Sequence, residues 1–291
     1  MEDAYCDIEA ALQIDQIRVP ITFYAVFDGH GGGATSRFLA ERFAHVLLAC
    51  FQAKIDTLDQ NSRDCLKDPA NSDTIQLLDY NLILRDAFQI LDVQFYQRPN
   101  NNSGSTAVTS IIFKDLIITA NVGDSRSILS RGGVAKHCSF DHKPKNIGEL
   151  MRIHNNGGFV VNNRVNGILA LSRAFGDFSF KMHATNMNNM KTPPENYQVT
   201  VTPDVIIHQF IPDSDEFLVL ACDGIWDCIN PKELVSSIRH LISLGKNLDE
   251  IVEIILDQCI GMADTTTGIG FDNMTIIIVA LFPEQQQHQS L

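Results

Sequence analysis

One apolar, strand-like run in this sequence ends in residues that could do chemistry. Residues 22–27 are followed by Asp28, Gly29 and His30, and then by further glycines before a helical stretch. An aspartate at a strand end is held rigidly enough to serve as a metal ligand, and a glycine lets the backbone carbonyl approach a cation. His30 then lies where a proton donor would be useful. Taken alone, the same residues are equally consistent with a plain strand-to-helix turn.

Other carboxylates occupy similar positions along the chain. These are Asp223 after residues 218–222, Asp272 before a final apolar run, Glu2 and Asp3 at the start, and Asp141 after a strand and turn. A single Asp-Gly pair is usually only a turn, but several converging carboxylates repel one another unless cations neutralise them. The repeated arrangement therefore favours a cation site built from dispersed aspartates.

An all-oxygen ligand set predicts which metal and which chemistry such a site supports. Carboxylate and carbonyl oxygens select Mg²⁺ or Mn²⁺ over zinc. Two such ions about 3.5–4 Å apart can bridge a water, lower its pKa and direct it at phosphorus. The sequence contains neither a G-x-S-x-G nucleophile elbow nor a Walker loop, which agrees with a reaction that needs no protein nucleophile.

Composition narrows the class of protein. The 291 residues carry 22 Lys and Arg against 35 Asp and Glu, a net charge of −13, which disfavours nucleic acid and anionic membrane surfaces as partners. The seven cysteines form no C-x-x-C pair, so we expect reduced thiols and a cytoplasmic or nuclear location. The sequence shows neither an apolar run long enough to span a membrane nor a secretory signal.

Hydrophobic patterning predicts a mixed α+β domain. Short runs rich in Val, Ile and Phe predict strands at residues 21–27, 110–119, 126–130, 205–210, 216–222 and 274–281, with a hairpin turn at Lys114-Asp115. Apolar residues at helical spacing predict helices over residues 35–51 and 80–96, and two more after Asn230 and Asn247. We predict one domain over residues 1–284, with a surface insertion at 52–74, a flap at 181–198 and a disordered tail at 285–291.

Motifs along almost the whole chain resemble those of the type 2C, metal-dependent serine/threonine protein phosphatases. They occur in the expected order: MEDA (1–4), VFDGHGG (26–32), SGSTA (103–107), NVGDSR (121–126), DHKP (141–144), RVNG (164–167), LSRAFGD (171–177), ACDGIWD (221–227) and DNMT (272–275). The resemblance implies a central sandwich of two antiparallel sheets with helix pairs on both outer faces. It also implies dephosphorylation of phosphoserine and phosphothreonine in proteins by attack of a metal-bridging water.

The resemblance also implies a role for each matching residue. Asp28 would bridge two Mg²⁺ or Mn²⁺ ions, the Gly29 carbonyl would bind one of them, and Asp223 and Asp272 would hold the other. Glu2 and Asp3 match acidic residues that bind metal directly or through water, and Asp141 matches the residue associated with a weaker third ion. His30 matches the proposed general acid. Asp124 and Asp177 are interpreted as turn or supporting residues rather than metal ligands.

One departure from the family pattern concerns the phosphate. Family members carry an arginine a few residues before the Met-Glu-Asp motif, on a first strand, whereas this sequence begins at Met1. We therefore expect that strand to have been removed upstream or the chain to be a divergent member, with Arg173 as a substitute ligand for phosphate. The alternative function is a pseudophosphatase that binds partners with little turnover. We expect a monomer that acts on phosphoproteins.

Overall fold

Apolar side chains on the central strands alternate between two directions, and this alternation builds the layers of the fold. The computed structural model describes residues 1–68, 74–181 and 196–281. Its larger antiparallel sheet has five strands in the spatial order β1-β2-β5-β6-β12, and a second antiparallel sheet has the order β14-β13-β7-β8. A small sheet, β11-β4-β3, and a two-stranded pair, β10-β9, complete the described strands.

The element bounds are as follows. The strands are β1 (Ala4–Ile14), β2 (Ile17–Phe27), β3 (Gly29–His30), β4 (Gly104–Ser105), β5 (Ala107–Phe113), β6 (Leu116–Val122), β7 (Arg126–Arg131), β8 (Val134–His137), β9 (Val160–Val161), β10 (Arg164–Val165), β11 (Phe175–Gly176), β12 (Asp204–Gln209), β13 (Asp215–Ala221) and β14 (Ile276–Ala280). The helices are α1 (Ala34–Asp56), α2 (Gln60–Lys67), α3 (Thr74–Leu77), α4 (Tyr80–Tyr96), α5 (Ile147–Asn155), α6 (Asp223–Trp226), α7 (Pro231–Ser243) and α8 (Leu248–Gly261), with a 3₁₀ turn at Phe178–Phe180.

Each central strand contributes to two apolar layers. On β2, Phe23 and Phe27 pack with residues of helices α1 and α4, whereas Val26 lies between the two sheets. On β13, Val219 packs towards helices α7 and α8, whereas Leu220 faces the sheet interior. Successive side chains of a strand point to opposite faces, so an unbroken apolar run suits a strand covered on both sides. The result is the expected α+β sandwich with a helix pair on each outer face.

Strand register places several chain segments at one end of the sandwich. In the larger sheet, Phe27 pairs with Ala4, and Val122 pairs with Ala107. In the second sheet, Ala221 pairs with both Arg126 and Ile276. The residues just beyond these pairs are 1–3, 28, 123–125, 222–223 and 272–275. They therefore meet at the same end, although they are far apart in sequence.

Most predicted elements are confirmed. Predicted strands correspond to β2, β5, β6, β7, β12, β13 and β14, and the predicted helices correspond to α1, α4, α7 and α8. Lys114 adopts a left-handed φ of 55° in the two-residue turn between β5 and β6. The Asn230 and Asn247 side chains cap their helices by accepting from the backbone of Glu233 and Glu250. Strand β1 is absent from the sequence prediction, since its exposed face carries charged and polar residues.

The expectation of irregular structure in the predicted surface insertion at residues 52–74 is wrong in its first part, which is largely helical. Helix α1 continues to Asp56, and α2 follows with Asp59 as an N-cap that accepts from Ser62. Only Leu66 of α2 is buried, so the helix lacks the apolar stripe that a sequence pattern would reveal. Residues 69–73 of the insertion, 182–195 of the predicted flap and the whole predicted tail lie outside the described residues. Among the residues that are described, no helix is long and apolar enough to cross a bilayer.

Candidate active site

Three carboxylates converge at the end of the sandwich where β2, β6 and β13 finish. Asp28 follows β2, Asp124 lies in the turn between β6 and β7, and Asp223 begins α6 just after β13. One ligand atom from each lies within 4.8 Å of the others. Because β2 and β13 belong to opposite sheets, this cluster depends on the packing of the sandwich itself.

The cluster resists ionisation in the absence of a cation. Burial first, and then the charges of neighbouring aspartates, raises the pKa of Asp28 to about 9. Burial and the charges of Asp124 and Asp227 raise the pKa of Asp223 to about 7. Each unit of such a shift corresponds to roughly 1.4 kcal/mol against the charged form. Ionising these carboxylates together is unfavourable in the metal-free protein. A divalent cation bound between them would make the ionised form favourable, so the cluster is suited to such a cation.

The start of the chain packs against the loop before β14. The Glu2 backbone N–H donates to Asn273 Oδ1 at 2.7 Å, and Thr275 Oγ1 donates to Asp3 Oδ2 at 2.7 Å. Burial, with a contribution from the charge of Asp272, raises the pKa of Asp3. Three predicted ligands, Glu2, Asp3 and Asp272, thus lie on adjacent segments at the end of the sandwich that holds Asp28.

Two glycines allow the backbone to pack tightly around the cluster. A Cβ atom on Gly29 would collide with the Glu2 carbonyl oxygen, and one on Gly224 would collide with the Asn273 carbonyl oxygen. Any side chain at either position would push apart segments that carry predicted ligands. The glycines that follow Asp28 and Asp223 are therefore required by packing.

His30 contacts an aspartate from a distant part of the chain. Its Nε2 atom lies 2.7 Å from Asp177 Oδ2. Burial opposes protonation of this imidazole, but the hydrogen bond and charge of Asp177 outweigh it, so the pKa of His30 is raised. A histidine held in this way can keep a proton to donate at neutral pH.

Asp141, the predicted ligand of an accessory ion, is paired with an arginine. Arg126 donates from Nε and Nη2 to the two Asp141 carboxylate oxygens at 2.5 and 2.9 Å. Arg126 also lies over the Trp226 ring, with 5.9 Å from Cζ to the centroid. Among the cluster residues, Asp124 has a similar cationic neighbour, since Lys143 Nζ contacts its carboxylate. The accessory role of Asp141 stays a prediction.

Arg173 is held by two carboxylates. Its guanidinium pairs with Glu149 Oε1 at 2.9 Å and with Asp204 Oδ1 at 2.7 Å. Burial alone would raise the pKa of Glu149, but hydrogen bonding and charge from Arg173, with the charge of Arg152, lower it to about 2. The predicted phosphate-binding role of Arg173 stays a prediction, and these ion pairs favour a structural role.

Known proteins of one family resemble this chain over nearly its whole length. The Protein phosphatase 2C profile matches residues 1–268. The chain belongs to the protein phosphatase 2C family. It is 42% identical over 295 residues to Protein phosphatase 2C homolog 4 of Saccharomyces cerevisiae, covering 90% of this chain and 75% of that protein. It is 39% identical over 287 residues to Protein phosphatase 2C homolog 3 of Schizosaccharomyces pombe, covering 99% of this chain and 63% of that protein.

Solved structures share the fold. A phosphatase from a pathogenic strain of Toxoplasma gondii superimposes with a TM-score of 0.73 at 24% identity, covering 97% of this chain and 88% of that chain. A C. elegans sex determining protein gives a TM-score of 0.68 at 25% identity, covering 99% of this chain and 63% of that one. Phosphatase 2C enzymes are metal-dependent serine/threonine protein phosphatases, and the acidic cluster of this chain could bind metal.

Two residues of the candidate site were interpreted from the sequence only as turn or supporting residues. Asp124 lies in the acidic cluster and Asp177 contacts His30. Asp124 carried a usable signal, because it follows the apolar run of β6 and so reaches a strand end as Asp28 does. The sequence around Asp177 gives no such signal, because Asp177 reaches His30 only through the pairing of β3, β4 and β11 in the small sheet.

Proposed function

We propose that this chain hydrolyses phosphoserine and phosphothreonine in proteins, with two Mg²⁺ or Mn²⁺ ions held by its converging carboxylates. The observation that carries the proposal is the cluster of the buried Asp124 with the half-buried Asp28 and Asp223, whose ligand atoms lie within 4.8 Å of one another. Such a cluster is costly without a cation and favourable with one.

The donor set fits hard divalent cations. Asp28 and the Gly29 carbonyl would hold one ion, and Asp28, Asp223 and Asp272 the other. Glu2 and Asp3 would bind directly or through water. We add Asp124 to this set on its position in the cluster, and Asp141 remains a candidate for an accessory ion once it releases Arg126. All these donors are oxygens, the ligands that Mg²⁺ and Mn²⁺ prefer.

The residues around the cluster support a hydrolytic reaction. Cations bound there would lower the pKa of a water and offset the charge that develops on the phosphate. His30 holds a proton beside the cluster and would give it to the leaving serine or threonine oxygen. An alkoxide is a poor leaving group, so this proton matters most for alkyl phosphates.

The carboxylates expected to bind metal support catalytic turnover over a pseudophosphatase that only binds partner proteins. Asp28, Asp223 and Asp272 are all present, and Asp28 and Asp223 converge, whereas a pseudophosphatase is expected to have lost such positions. We propose a monomer acting on phosphoproteins. The net charge of −13 supports the exclusion of nucleic acid as a substrate.

The test is hydrolysis of phosphothreonine and phosphoserine peptides by the purified chain. We expect turnover with Mn²⁺ or Mg²⁺, loss of turnover in EDTA, and recovery when the cation is returned. A matched chain extended upstream by a strand that carries an arginine serves as a comparison for phosphate affinity. Metal-independent hydrolysis by the chain would contradict the proposal, as would bound Mn²⁺ without turnover in both forms.

A further inference from the structure

A small three-stranded sheet brings His30 to a residue 147 positions away. Its central strand, β4, pairs His30 with Gly104 on one side and Gly176 with Gly104 on the other. A Cβ atom on Gly104 would collide with both His30 Nε2 and Asp177 Oδ2. The histidine and the aspartate can therefore meet only because the strand between them has no side chain at that point.

The contact leaves one imidazole nitrogen without a hydrogen bond to any part of the chain that the structure describes. Nε2 of His30 lies 2.7 Å from Asp177 Oδ2, while Nδ1 has no hydrogen-bond partner among the residues that the structure describes. The side chains of His30 and Asp177 are 29% and 10% exposed, so the pair is accessible from the histidine side. Because the Asp177 carboxylate accepts a hydrogen bond from Nε2–H, it fixes the tautomer of the neutral ring and the ring orientation.

Asp177 is itself held in a strained conformation. Its φ is 49°, a left-handed value that is uncommon for a residue other than glycine, and its N–H donates to the Ser103 carbonyl at 3.3 Å. Such strain persists only where the surrounding structure enforces it, and it is often found at functional sites.

A buried ion pair anchors the segment that carries Asp177. Asp92 of helix α4 accepts from the Gly176 N–H at 2.8 Å and pairs with Lys181 Nζ at 2.7 Å. Lys181 also donates to the Ala174 carbonyl at 2.8 Å. These contacts fix the backbone on both sides of Asp177 and so hold its carboxylate beside the His30 imidazole.

We propose that Asp177 is a positioning residue for the dephosphorylation reaction, which holds the His30 ring so that Nδ1 faces the leaving oxygen of the substrate. The proposal rests on the proposed function. As the P–O bond to serine or threonine breaks and the water oxygen bonds to phosphorus, the proton on Nδ1 passes to the leaving oxygen. The Nε2 proton stays in its hydrogen bond with Asp177 throughout.

The kinetic test compares substrates that differ in their need for a proton. In Asp177→Asn, kcat for a phosphoserine peptide should fall by roughly 10–100-fold, whereas kcat for 4-nitrophenyl phosphate should change by less than about 3-fold. KM should be unchanged. In a His30→Gln background, Asp177→Asn should cause no further loss, because the two residues act as one unit.

A control variant separates positioning from general destabilisation. Asp215→Asn breaks an ion pair in the second sheet between the buried Asp215 carboxylate and Arg131 Nε, which lie 2.6 Å apart. It should lower stability without changing the ratio of the two kcat values. Equal losses on both substrates in Asp177→Asn, or additive losses in the double variant, would overturn the proposal.

A spectroscopic measurement on the metal-free protein does not depend on turnover. In ¹⁵N-histidine NMR spectra recorded at a pH where the His30 imidazole is neutral, the single ring proton should lie on Nε2 in the parent chain, and Asp177→Asn should lose that preference. An unchanged tautomer would overturn the proposal even if activity falls. Full activity of His30→Gln on phosphoserine would instead contradict the proton-donor role in the proposed function, and with it any positioning for catalysis.

Discussion

Asp28 and Asp223 follow central strands of opposite sheets, and their carboxylates meet in a single cluster with Asp124. The cluster therefore joins the two halves of the sandwich through side chains of like charge. Because like charges cannot both be buried without cost, the metal-free fold carries a local electrostatic penalty here. Ligand binding and folding stability are therefore linked through the same three side chains.

The metal-free protein should lose stability as pH rises. The pKa of Asp28 is about 9 in the folded chain, against about 3.9 for an unperturbed aspartate, so the folded state holds the extra proton between these values. The free energy of unfolding should then fall by up to about 1.4 kcal/mol per pH unit as pH rises from 4 towards 9. Urea denaturation in EDTA at several pH values measures this. Asp28→Asn should flatten the profile, and an equally steep profile in that variant would contradict the assignment.

Asp124→Asn should weaken metal binding, although the sequence analysis interpreted Asp124 as a turn or supporting residue. Replacing one carboxylate of the cluster removes a charge that faces the cation, and we expect affinity for Mn²⁺ to fall by roughly 10–100-fold. Calorimetric titration with Mn²⁺ measures the change. Asp264→Asn, at an exposed turn where the carboxylate accepts from Thr266, serves as a control. Unchanged Mn²⁺ affinity in Asp124→Asn would exclude Asp124 from the site.

Asp92→Ala should destabilise the fold by about 3–5 kcal/mol, because it leaves the Lys181 ammonium buried and unpaired. Chemical denaturation measures the loss. The double variant Asp92→Leu with Lys181→Met removes both charges and should lose less stability than Asp92→Ala alone. A double variant no more stable than the single one would show that the pair is not the source of the effect.

Arg173→Ala distinguishes a structural role from a phosphate-binding one. The pairs with Glu149 and Asp204 predict a loss of about 3 kcal/mol in stability, since the buried Glu149 carboxylate would lose a partner. A phosphate-binding role predicts instead a higher KM for phosphopeptides with unchanged stability. Denaturation and steady-state kinetics on the same preparation separate these results, and we expect the first.

The sequence was most informative where local pattern and structure coincide. Asp28 and Asp223 each follow an apolar run and precede a glycine, so strand, ligand and close backbone approach could be inferred together. Helices α1 and α4 could be predicted equally well, because their apolar residues recur at helical spacing. These features depend on neighbours within a few residues.

Other features depend on contacts between distant segments. Asp177 resembles an ordinary turn residue, and its contact with His30 arises from pairing across Gly104. Likewise, nothing near Lys181 reveals its buried partner Asp92. Periodicity cannot report such pairs, because they are fixed by strand register and tertiary packing rather than by local conformation.

Counting bound metal alongside turnover tests the central claim most directly. The parent chain, equilibrated with Mn²⁺ and analysed by elemental analysis and phosphothreonine-peptide hydrolysis, should hold two tightly bound ions and be active. Asp28→Ala and Asp223→Ala should each lose bound Mn²⁺ and at least about 10²-fold in kcat while remaining folded. Full activity in either variant, or hydrolysis by a parent chain that holds no Mn²⁺, would contradict the account.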